Sequence, residues 1–253
     1  VNQNTSIKLT LPYILIIALL QTLIAVIPGI LLSHQPIRLS GANFIMFVYL
    51  FISDFYLLFS RNAYQKGKQV SIQASLVKIV FSAILIYKIT GHLTYQYAFI
   101  LFAYEIFQFL TFSSRYQYQD TIFYTLLNIF FKGCVFNLML TLQAPYSFQL
   151  NKLEPFIFSM FIIGINTLVT QKIYSYLKRN NFYLMWLGIT LIGLGGYLYY
   201  IFNQRFISLF VLIALISLLI ISAACLIRTK QLNKKEFILN ITSFILLYFY
   251  YRM

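Results

Sequence analysis

Nine continuous apolar stretches, each long enough to cross a bilayer, take up most of this 253-residue chain, and strong positive charge gathers in every second gap between them. A helix needs about 20 apolar residues to span the hydrocarbon. The runs do not alternate in period two, so helices are expected rather than the strands of an outer-membrane barrel. Lipid is the solvent such a chain demands: 60% of its residues are hydrophobic and 9% charged. A soluble domain carries roughly a quarter charged residues.

The expected spans are 10–33, 43–60, 72–90, 94–113, 120–142, 154–174, 182–202, 205–226 and 236–251. Short loops join them, so residues 1–253 read as a single integral-membrane helical domain, an all-α polytopic bundle. The first stretch is as long as a full span and no small-x-small cleavage site follows it, so it is read as a span and not a cleaved signal.

Lys and Arg divide unequally between the two sides. Lys8, Arg61, Lys66, Lys68, Arg115, Lys172, Lys178, Arg179, Arg228, Lys230, Lys234 and Lys235 fall on one side, twelve in all. Arg38, Lys88, Lys152, Arg205 and Arg252 make five on the other. The positive-inside rule then places the N-terminus in the cytoplasm and the C-terminus outside, in what is expected to be a bacterial cytoplasmic membrane. The net charge of +14 sits beside apolar spans, which points to lipid headgroups or a phosphorylated ligand and not to nucleic acid.

Four ionisable groups lie inside spans, where each costs a few kcal/mol unless paired or wetted. Depth matching joins Asp54 to Lys78 and Glu105 to Lys132. Such pairs fix helix register, line a polar cavity or mark a proton or solute pathway. A pathway usually shows more polar residues along one helix face than these spans do. Cys134 and Cys225 read as small apolar residues, and His34 and His92 stand alone, so a zinc-type metal site is not expected. The tyrosine runs at 197–200 and 248–251 read as interfacial belts. Gly188, Gly193, Gly195 and Gly196 read as positions of close helix packing.

The gaps after the second and sixth spans are the most polar. Phe59-Ser60-Arg61-Asn62-Ala63-Tyr64-Gln65-Lys66-Gly67-Lys68-Gln69 resembles the first aspartate-rich motif of the UbiA superfamily of intramembrane prenyltransferases, through its Tyr-x-Lys-Gly core. Asn166-Thr167-Leu168-Val169-Thr170 with Tyr174 resembles the second. Leu187-Gly188 and Leu9-Thr10-Leu11-Pro12-Tyr13 add family-like matches. The resemblance implies a nine-helix fold and a protein that handles a polyprenyl diphosphate or quinone precursor. In that family paired aspartates hold Mg²⁺, which binds the donor's diphosphate and assists its departure. Here Ser60, Ala63, Gln69, Thr170 and Tyr174 stand where the acids belong, so that Mg²⁺ site is expected to be lost and no other cofactor is evident. Activity is then in doubt, and a non-catalytic ligand-binding role fits as well. Arg61, Asn62, Lys66, Lys68, Asn166, Lys172, Lys178 and Arg179 are the residues left to hold a diphosphate directly. The alternative is a transporter or permease subunit built on the Glu105–Lys132 pair. Against it, the sequence offers no inverted repeat and no pair of Gly- or Pro-broken helices.

Overall fold

The structure is a computed structural model that describes residues 10–33, 41–66, 70–91, 95–111, 118–141, 150–174 and 180–252. Within them every regular element is helical. In chain order these are α1 (Leu11–Leu32), α2 (Ala42–Gln65), α3 (Ile72–Thr90), α4 (Tyr95–Thr111), α5 (Ile122–Phe130), α6 (Phe136–Thr141), α7 (Ile157–Ile173), α8 (Asn180–Asn203), α9 (Leu209–Arg228) and α10 (Leu232–Arg252). A π-helical turn, Phe131–Val135, joins α5 to α6, so the fifth apolar stretch is one broken rod.

Helix coincides with each of the nine apolar stretches. Seven of them, in the described residues, are long and apolar enough to cross a membrane. The two outside that group are α4, with 17 residues, and α10, which carries Lys234, Lys235, Glu236 and Arg252. Burial on α3 is inverted relative to a helix of a soluble bundle. On α3 the buried residues are Lys78, Ser82 and Ile89, while Ile72, Leu76, Val77, Val80 and Phe81 lie exposed. Apolar outside and polar inside is the arrangement lipid stabilises, because exposing those side chains to hydrocarbon costs nothing.

Two units make up the chain. The first contains the start of α1 with α2, α3 and α4. Its apolar core joins Ile14, Ile17 and Ala18 of α1 to Leu58 of α2. Helix α3 packs on both α2 and α4. The second unit contains the end of α1 and everything from α5 to α10. There α7 is the hub, packed against α5, the π turn, α8 and α10. Ile24 and Ile27 of α1, Phe158 and Ile162 of α7, Leu194 and Leu198 of α8, and Leu246 and Leu247 of α10 share its core.

The end of α1 approaches α6 very closely. A Cβ on Gly29 would stand 2.7 Å from the Asn137 carbonyl oxygen. Pro28 precedes that glycine inside the helix, and a proline there cannot donate and pushes the preceding turn aside. The Gly29 N–H donates to the Asn137 side-chain oxygen at 2.8 Å. The Asn137 amide in turn donates to the Lys132 carbonyl at 2.9 Å, on the π turn. One buried amide thus satisfies backbone groups at two helix irregularities, as a low-dielectric interior requires. Helix α1 runs unbroken through Pro28, and the π turn is the one interruption within the fifth stretch. Of the four glycines on the seventh stretch, Gly193 meets the Phe161 ring, whereas Gly188, Gly195 and Gly196 face open space. The packing role holds for Gly193 alone.

Candidate functional site

The first unit holds a charged centre. Lys78 of α3 forms an ion pair with Glu105 of α4, their side chains 3% and 9% exposed. The Tyr49 hydroxyl, from α2, donates to the other Glu105 oxygen at 2.8 Å. The Lys78 ammonium also stands 4.9 Å from the Phe109 ring centre and 5.6 Å from that of Tyr56, close enough for the ring faces to attract it. The Tyr56 hydroxyl is hydrogen-bonded to Ser75 at 3.0 Å.

These partners correct the depth matching. Lys78 pairs with Glu105, not Asp54, and Glu105 with Lys78, not Lys132. The reason is the turn between α3 and α4. Lys78 lies twelve residues before the end of α3 and Glu105 ten residues after the start of α4, so both sit about 15–18 Å from that turn at 1.5 Å per residue. Depth alone admits several pairings; contact between sequential antiparallel helices selects this one. Asp54, fully buried on α2, accepts a hydrogen bond from Thr22 of α1 at 3.1 Å. Lys132 is buried on the π turn of the second unit.

Around the pair, polar residues line one face of each helix. On α3, Ser71, Ser75, Lys78 and Ser82 recur at i, i+4, i+7 and i+11, with Ser71 capping the helix through the Ala74 N–H. On α4, Tyr97, Tyr104, Glu105, Gln108 and Thr111 are all buried. On α2, Tyr49, Ser53 and Ser60 are buried. The sequence reading does not single out these faces, because hydroxyls spaced in sevens are inconspicuous among apolar neighbours.

The second unit holds a polar ladder between α7, with its C-terminal Tyr174, and α10. Asn166 donates to Ser243 at 2.9 Å and to the Asn240 side-chain oxygen at 3.3 Å. The Tyr174 hydroxyl donates to Glu236, which is fully buried. Gln171 ties the same helix to α5, accepting from Thr125 at 2.9 Å and donating to the Gln119 carbonyl at 2.8 Å. Glu236 is a buried carboxyl that the sequence reading passes over. Its signal is the spacing of Glu236, Asn240 and Ser243 at i, i+4 and i+7.

The residues proposed for a diphosphate divide between the units. In the first, Arg61 and Asn62 are helical and buried, since α2 runs on to Gln65 past the expected end at 60. Lys66 is exposed and caps that helix. In the second, Asn166 is engaged as above, and the Lys172 ammonium stands 5.7 Å from the Tyr183 ring centre. Lys68, Lys178 and Arg179 lie outside the described residues. A UbiA-type Mg²⁺ clamp does not fit the residues present: Ser60, Ala63, Thr170 and Tyr174 offer no carboxylate. Among the described residues, no three of His, Cys, Asp and Glu gather at a metal-binding distance.

The tyrosine runs are only partly belts. Tyr199 and Tyr200 are exposed, but Tyr250 is hydrogen-bonded to Tyr197 at 3.0 Å and stacked on Phe158 with ring centres 4.0 Å apart. Tyr251 donates to the Pro155 carbonyl at 2.8 Å.

No family model, curated protein or solved structure matches this chain.

Proposed function

We propose that this is a membrane transport protein, with nine spans and a cytoplasmic N-terminus, that moves a small polar or charged solute by way of Lys78 and Glu105. The observation that carries the reading is the Lys78–Glu105 pair buried among helices whose outer faces are apolar. Ionisable groups in that setting are retained against a cost of several kcal/mol, and pathways are where they are found. Three polar helix faces meeting at the pair supply the lining that a path needs. The test is solute flux in proteoliposomes: Glu105→Gln should abolish it, and normal flux in that variant removes the reading. The orientation is tested by cysteine labelling, since Lys66 and Lys230 should be reachable from one side of the membrane.

A second reading, a UbiA-like protein that binds a polyprenyl diphosphate, draws support from the end of α2. Arg61, Asn62 and Lys66 bring two cations and an amide to one helix terminus, and Lys and Arg bind phosphate without a metal. A labelled polyprenyl diphosphate should then bind equally in Mg²⁺ and in EDTA, and Lys66→Ala should weaken it. Absence of binding in both conditions ends this reading.

A further inference from the structure

On α3 and α4, among the described residues, the buried side chains of Tyr97, Ser82 and Gln108 have polar atoms without a hydrogen-bond partner on the protein, and they lie on both sides of the ion pair. Tyr97 of α4 has an unpartnered hydroxyl and is fully buried. Ser82, one turn beyond Lys78 on α3, likewise has none. Gln108, one turn beyond Glu105 on α4, is 1% exposed with neither amide atom bonded. A buried amide or hydroxyl left without a partner is rare in folded proteins, and water is its usual companion where the site is polar.

Their order along the helices matters. Counted from the α3–α4 turn, Tyr97 comes first, then Ser82, then the pair, then Gln108 with the bonded Tyr56 and Ser75. From Tyr97 to Thr111 the buried face of α4 runs for about 21 Å at 1.5 Å per residue, most of the thickness of the hydrocarbon. Hydroxyls and amides at intervals of one to two turns can hold a file of waters but are too sparse to strip and coordinate a metal cation. The pair itself offers one exchangeable carboxylate.

We infer that the cargo of this path is the proton, which rests on the transport reading above. A proton arriving along the file adds to the Glu105 carboxylate and releases Lys78 from its ion pair. It leaves on the opposite side when the carboxylate, ionised again, re-forms the pair, so charge and protons balance over a cycle. The groups that face the carboxylate are Lys78 from α3 and Tyr49 from α2, with Tyr104 beside it on α4 and Tyr56 under the ammonium. Gln108 and Ser82 are positioning residues: they hold water and do not exchange the proton.

The experiment is a current recording across a bilayer containing the purified protein, with independent pH and salt gradients. Entrapped pH dye in liposomes records flux that carries no net current. A flux that needs Glu105 and a reversal potential that follows the pH gradient are expected. Gln108→Leu and Ser82→Ala should each lower it about tenfold while the melting temperature stays near that of the unmodified protein. A Glu105-dependent current that reverses with the salt gradient overturns the proton and leaves the transport reading standing. No Glu105-dependent flux of any ion overturns both. Unchanged proton flux in the Gln108 and Ser82 variants overturns the water file.

Discussion

Lys78 and Glu105 bridge α3 and α4 at a depth where each would be an isolated charge without the other. Removing one partner of a buried pair strands the other, at a cost of about 3–5 kcal/mol. Lys78→Met or Glu105→Leu alone should therefore lower the melting temperature sharply. The exchanged pair, Lys78→Glu with Glu105→Lys, should recover part of the loss. The double apolar variant should be close to the unmodified protein in stability, since replacing both charges is often neutral. A double-mutant cycle on thermal unfolding in detergent checks all three.

Asn137 should be among the least replaceable residues of the second unit. Asn137→Leu leaves the Gly29 N–H and the Lys132 carbonyl without their present partner, each worth about 1–3 kcal/mol when buried. Gly29→Ala should destabilise comparably, because its Cβ would meet backbone and not a movable side chain. Both are read as losses of folded protein after extraction in mild detergent.

On the eighth helix the contrast is steric. Gly193→Leu should disrupt contact with the Phe161 ring, whereas Gly188→Leu should be tolerated, since nothing stands within 4 Å of its Cβ position. Expression and melting temperature of the two variants, compared side by side, decide it.

Tyr174→Phe should weaken the joint between α7 and α10 by about 1–3 kcal/mol, the range for a buried hydrogen bond that loses its donor. Thermal unfolding of Tyr174→Phe, alone and combined with Glu236→Gln, measures the coupling between the two side chains.

Cys225 is exposed and Cys134 buried. A membrane-permeant maleimide should label Cys225 first and reach Cys134 after denaturation, as peptide mass spectrometry would record. Equal labelling would mean that the π turn opens readily.

The helices were legible because an apolar run of span length has few alternatives. Starts and ends fell within about four residues of expectation, except at α2, where Arg61 and Asn62 looked like loop. They are helical and buried in a polar interior, so their polarity marks the inside of the unit and not the end of the helix. The charged centre was half legible. Lys78 and Glu105 stood out as ions in spans, but their partnership did not, because depth gives one coordinate and a contact needs three. Glu236 was hidden by its place at the edge of an expected span, and the π turn at 131–135 left no mark in the pattern of apolar residues.

The amide of Asn137 has an evolutionary corollary. Pro28, Gly29 and the π turn at Lys132 are irregularities that one side chain accommodates together. Straightening either helix alone would leave that amide half employed, so the three should be gained or lost as a set. Descendants of this chain that replace Pro28 by an ordinary helix former should also have shed the asparagine and the extra residue of the wide turn.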